Sequence, residues 1–218
     1  MMRIPLLLGG LACLTLALAQ TPTRATKENL GLVGGRFQPL TYNQMTPEQK
    51  TMIDHLLSGE RQNLGGPFNV LLRSPEMGDL AQQFGASMRF HAGLPKPALE
   101  TIIIVTARFW GAQFEWNAHK RAALQAGVSP AIVNAIADGT RPAGMDPDLA
   151  AAYNFIVELL KTHEVSDATF AAAKTRFGEK GVVDIIGLTG WYSMVSMALN
   201  VDRYPAPAEL KPLANPLP

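Results

Sequence analysis

Ala98-Leu99-Glu100-Thr101-Ile102-Ile103-Ile104-Val105-Thr106-Ala107-Arg108 is the stretch on which the fold turns. Its centre, Thr101 to Thr106, is β-branched throughout, and propensity alone would make it a strand. Ala98-Leu99-Glu100 on one side and Ala107-Arg108 on the other carry the apolar segment to helix length, so a buried helix is the better reading. No apolar–polar alternation recurs elsewhere and no repeat of fixed period is visible. The expectation is an all-α bundle.

Outward from this segment, helix-start signals recur. Thr46-Pro47-Glu48-Gln49 has a capping residue, a proline at the first helical position and a glutamine that completes a capping box. Ser74-Pro75-Glu76, Ser129-Pro130 and Asp146-Pro147 repeat the device. The cap oxygen accepts orphan amide hydrogens, and proline has no N–H left to satisfy. These signals predict helices near 47–60, 75–91, 97–111, 114–126, 130–138, 147–162, 167–177 and 180–199. Gly127 and Gly139 stand where left-handed residues commonly end a helix.

The ends read differently. Arg3, then an apolar run from Pro5 to Leu18, then Ala17-Leu18-Ala19 form a secretory signal peptide expected to be cut after Ala19. Gly10-Leu11-Ala12-Cys13 only loosely matches a lipoprotein box, and the run is too short and Gly-rich to favour a membrane-spanning anchor. Residues 20–45 read as an extended arm, 46–204 as the helical domain, and 205–218, with five prolines, as a non-helical tail. The protein is therefore expected in the periplasm or secreted, without stable membrane insertion.

Of the 218 residues 47% are hydrophobic and 17% charged, enough for a sizeable core. A net charge of +1 offers no excess to neutralise a phosphate backbone, which argues against nucleic acid as partner. Cys13, the single cysteine, lies within the signal peptide, so the mature chain has no thiol for a disulfide or for nucleophilic catalysis.

Candidate chemistry concentrates in Gln113-Phe114-Glu115-Trp116-Asn117-Ala118-His119. Glu115 and His119 are four apart and share a helix face, where a carboxylate beside an imidazole makes a proton-transfer pair in a dry pocket. The same spacing is common on solvated helix faces. Trp116 is either a core aromatic or a wall that keeps water from the carboxylate. Arg89 and His91 fall near a helix end, where they either receive a substrate carboxylate or simply complement the helix dipole. Glu115 and His119 supply two metal ligands, with His91 as a conceivable third, but no spacing demands a metal and none is expected.

Leu99-Glu100 through Ile103, Thr106-Ala107-Arg108, Ala112 through His119 and Ala126-Gly127-Val128-Ser129-Pro130 resemble the core of the carboxymuconolactone decarboxylase and alkylhydroperoxidase D-like (AhpD-like) superfamily. Gly66 through Leu72 with Ser74-Pro75-Glu76, and Trp191-Tyr192 with Asn200, are similar to its flanks, so the resemblance spans about 46–204. In the peroxidase branch a glutamate, two cysteines and a histidine act together. The glutamate and histidine fall on Glu100 and His119, but the cysteine positions fall on Ala112 and Glu115, which removes the sulfur nucleophile. The decarboxylase branch implies small helical subunits in rings of three or six and a cofactor-free site, with Glu115 and His119 in a pocket and Glu100 nearby.

The resemblance thus implies an exported, cofactor-free enzyme using His119, Glu115 and Glu100 for acid–base chemistry on a small lactone or carboxylic acid. Arg89 would anchor a carboxylate, with His91 and Trp116 beside the substrate. Two alternatives stay open: a catalytically silent oligomeric binding protein of the same fold, and a metal-dependent enzyme.

Overall fold

A computed structural model describes residues 24–61, 63–206 and Leu213. The signal-peptide expectation and most of the Pro-rich tail lie outside the described residues. Among these residues there is no strand. The helices are α1 (Pro47–Ser58), α2 (Phe68–Leu71), α3 (Pro75–Ala86), α4 (Lys96–Phe109), α5 (Gln113–Gln125), α6 (Pro130–Ala137), α7 (Pro147–Thr162) and α8 (Asp167–Asp202). A 3₁₀ turn, Tyr42–Gln44, precedes α1, and a π-helical turn, Ser87–His91, continues α3.

The β-branched segment is helical, and α4 is the central rod, flanked by α5, α7 and α8. Every residue from Ala98 to Arg108 is buried, so this span of α4 has no solvent-facing side. Ile102, Ile103 and Ile104 are fully buried, each contributing roughly 1.5–3 kcal/mol. That burial outweighs the small helix penalty of β-branching.

Most predicted caps form. The Thr46 hydroxyl accepts from Gln49 N at 3.3 Å while Gln49 Oε1 accepts from Thr46 N at 3.0 Å, completing the capping box. Asp146 accepts from Leu149 N and Ser129 from Ile132 N. Ser74 is an exception: Pro75 opens α3 as expected, but the serine side chain makes no cap bond. Gly127 and Gly139 do take positive φ.

The two expected helices at 167–177 and 180–199 both form within α8, separated by a kink at Gly178, whose φ of 69° is non-helical. Two features depart from the expected element list. The 75–91 helix changes to π geometry after Ala86. The four-residue α2 was not expected, being too short to establish a period.

The arm from residue 24 to 45 lacks regular structure apart from the 3₁₀ turn, and it is strapped down. Buried Asp202, at the end of α8, accepts from the backbone N–H groups of Gly35, Arg36 and Phe37. Buried Asn69 in α2 donates to Phe37 O at 2.6 Å. Helices α3 and α8 meet at Gly85, whose missing side chain makes room for the Trp191 ring; a Cβ there would lie 2.3 Å from Trp191 Cε2.

Helix α8 is long and apolar enough to cross a membrane by length and composition, yet more than half of its most apolar stretch is buried within the bundle. Its remaining face exposes Val183, Ile186, Met197 and Val201, and α3 adds exposed Leu80 and Phe84.

Candidate active site

Three helices and the π turn converge on His119. One turn of α5 separates Glu115 from His119, and both residues are buried, 6% and 8% exposed. Glu115 Oε1 lies 3.0 Å from His119 Nε2. From α4, fully buried Glu100 reaches the other ring nitrogen, with Oε2 2.7 Å from Nδ1. Its second oxygen accepts from Arg89 Nη1 at 2.5 Å and lies 3.1 Å from Lys96 Nζ. The imidazole is thus bracketed by two carboxylates, one of them neutralised from behind by two cations.

Burial alone would push the Glu100 carboxyl up, but the His119 and Arg89 contacts outweigh it and hold the group down at about 2. Burial pulls the His119 proton affinity down, yet hydrogen bonds to Glu100 and Glu115 outweigh that too and raise it above its ordinary value. Nδ1 is hydrogen-bonded to Glu100 and Nε2 is paired with Glu115, an arrangement that favours the protonated ring. Tyr192, from α8, packs edge-on to His119 with centroids 5.0 Å apart. Its phenol is pushed well above its ordinary value, first by burial and then by the charge of Glu115, so it stays protonated.

Glu115, His119, Tyr192 and Arg89 all line a cavity of about 760 Å³. Phe68, Phe90, Phe114 and Trp191 form apolar walls, and Arg61, Lys120 and Arg121 add positive charge. The 3.0 Å contact between Glu115 and Nε2 is within reach of direct proton transfer. Because Nδ1 is fixed by Glu100, the opposite nitrogen handles that proton.

The structure brings together four of the six residues singled out in the sequence: Glu100, Glu115, His119 and Arg89. Arg89 has a different employment from the one expected, because its guanidinium is engaged by Glu100. Trp116 is not a cavity wall: it follows Glu115 by one residue, roughly 100° around the helix, and is buried in the core. His91 lies outside the cavity lining, with an exposed side chain that pairs with Glu60 Oε1 at 2.8 Å. Among the described residues, no group of three or more His, Cys, Asp or Glu side chains is arranged to hold a metal ion.

Sequence reasoning missed Arg61 and the position of Tyr192. Arg61 lies in an irregular segment with no motif, and Tyr192 enters from 73 positions beyond His119 along the chain.

The described residues thus form an all-α bundle around a buried acid–base cluster. Residues 75–158 match the family model described as the carboxymuconolactone decarboxylase family. The match covers 84 of the 218 residues, and the two solved structures that follow share the helical fold. One similar solved structure is an uncharacterised peroxidase-related protein from Ralstonia eutropha JMP134 with an alkylhydroperoxidase AhpD core. It is 17% identical, with a TM-score of 0.63, covering 80% of this chain and 93% of that one. Another is a protein of unknown function from Agrobacterium tumefaciens, described as a candidate antioxidant defence protein AhpD. That one is also 17% identical, with a TM-score of 0.57, covering 66% of this chain and 99% of the other. At such identity these two show the fold alone. Among curated proteins no match is found.

Proposed function

We propose that this chain is a cofactor-free acid–base enzyme of the carboxymuconolactone decarboxylase kind, acting on a small lactone or carboxylic acid. The observation that carries the reading is the imidazole of His119 bracketed by Glu100 and Glu115 at the edge of a half-open cavity. Glu100 fixes the ring and balances its charge. Glu115 exchanges a proton with Nε2 and passes it to or from a substrate carbon. In a decarboxylation, the C–C bond to the carboxylate breaks, CO₂ leaves, and the electron pair left on carbon takes that proton. The aromatic walls of the cavity favour loss of the carboxylate charge.

Thiol peroxidase chemistry is not part of this proposal, since Ala112 and Glu115 occupy the positions where the peroxidase branch has its cysteines. We also propose a periplasmic or secreted location after removal of residues 1–19, and a homo-oligomer of three or six subunits. The exposed apolar side chains of α3 and α8 support the last point, because patches of this kind mark interaction surfaces.

The test is a screen of the mature protein on unsaturated lactone acids in D₂O, following turnover and deuterium incorporation by NMR. His119→Ala and Glu115→Gln should each reduce turnover by at least about 100-fold, the usual scale of a general acid–base contribution. Turnover by His119→Ala equal to that of the unaltered protein would sink the assignment.

A further inference from the structure

Arg61 stands in the segment between α1 and α2, outside the part of the chain that matches the family model. Its guanidinium enters the same cavity and is packed among aromatic faces. Its Cζ lies 4.9 Å from the Phe68 ring centroid, 5.7 Å from Phe90 and 5.9 Å from Trp191. Nε and Nη2 are buried and have no hydrogen-bond partner among the described residues. These two nitrogens form one side of the guanidinium fork, the edge that receives both oxygens of a carboxylate in parallel.

A buried cation without a partner is costly to the folded chain. The cavity's other well-buried arginine, Arg89, does not show this pattern, because Glu100 satisfies it. Glu60, the acidic neighbour in sequence, is turned toward His91. Burial lowers the proton affinity of Arg61, but arginine starts so high that it stays charged at neutral pH. The edge is thus a charged, desolvated, preorganised receptor with aromatic walls and no acceptor supplied by the described residues.

We infer that Arg61 is the specificity-determining anchor of the cavity, binding side-on a carboxylate of the substrate while the flat, unsaturated body of that substrate lies against Phe90 and Trp191. The inference rests on the proposed function for its cavity and deepens it. The substrate is an unsaturated carboxylate, and the group that Arg61 holds is recognised apart from the proton relay at Glu115 and His119. The role expected of Arg89 passes to Arg61.

Binding without turnover tests this. The full chain would be titrated calorimetrically at pH 7 with trans-cinnamate, a flat unsaturated acid, and with cinnamamide, its uncharged counterpart. The protein should bind the acid at least tenfold more tightly than the amide. Arg61→Met should lose that preference while keeping affinity for the amide, and it should melt at a higher temperature without ligand because the unpaired charge is gone. Arg61→Lys, which keeps the charge but not the fork, should retain only part of the preference. Equal affinity of the unaltered protein for acid and amide, or no binding of either, would overturn the inference. So would an Arg61→Met protein that keeps the tenfold preference or melts lower. Glu115→Gln separates the two readings: it should bind cinnamate undiminished, so turnover without Arg61-dependent binding sinks only the anchor, and binding without turnover sinks only the enzyme.

Discussion

Replacing Glu100 by Gln keeps the shape of the side chain and removes its charge from the centre of the bundle. The carboxylate is fully buried and holds His119 at 2.7 Å, Arg89 at 2.5 Å and Lys96 at 3.1 Å. Its fall from the ordinary 4.5 to about 2 corresponds to roughly 3 kcal/mol of folding free energy. That agrees with the scale of about 3–5 kcal/mol for breaking a buried ion pair by removing one partner. For a chain of this size each kcal/mol moves the melting temperature by about 2–4 °C, so Glu100→Gln should melt about 6–12 °C lower at pH 7. The pH dependence gives a second handle. A carboxyl whose folded value is depressed contributes fully above its unfolded value of 4.5, and the contribution is lost as pH falls through about 2. At pH 3 the gap should have shrunk to roughly half. Paired calorimetric melts of both proteins at pH 7 and pH 3 measure this, with Glu60→Gln, an exposed ion-pair partner, as the near-neutral control. Melting temperatures within about 2 °C at pH 7, or a gap that is the same at both pH values, would refute the account of Glu100 as a paired anion.

The remaining predictions concern the imidazole, a helix contact and the arm. His119 should titrate above 6.5 by ring NMR, and the stability it contributes should be complete below that pH and lost as pH rises through its folded value; a midpoint at or below 6.5 contradicts the bracketed imidazolium. Gly85→Ala should destabilise by about 1–3 kcal/mol and shift tryptophan emission, because its new methyl meets the Trp191 ring; an unchanged melt would mean that α3 and α8 separate easily. Asp202→Ala should cost about 1–3 kcal/mol by leaving the Gly35 and Phe37 N–H groups without their acceptor, while Arg36 N keeps the backbone carbonyl of residue 202, and limited proteolysis should then cut near residues 34–37 before the bundle opens. Equal cleavage rates in both proteins would show that the arm is held by other contacts.

Local chemistry was legible in the sequence and long-range assembly was not. The β-branched core of α4 was readable as helix because its flanks extend it past strand length. Thr46, Ser129 and Asp146 announced their helices through caps that depend only on neighbours in the chain. Glu115 and His119 were legible because a helix converts a spacing of four into contact. Glu100 joins them from another helix, and only the family resemblance pointed to it. Arg61 and Tyr192 arrive through tertiary packing, which no periodicity encodes. Trp116 and His91 were assigned to the substrate from nearness in sequence. A helix turns a one-residue step into a different face, and the π turn ends with His91 directed toward Glu60 in solvent.

That π turn has an implication for how such a cluster is acquired. A π turn holds one residue more than the α-helical turn it replaces, so everything after the extra residue is rotated by about 100°. Deleting Met88 would restore regular winding and swing the Arg89 guanidinium off Glu100, while the packing face of α3 stayed where it is. Coupling of the arginine to the buried acid is therefore a matter of helical phase, which a one-residue insertion or loss can switch without redesigning the scaffold.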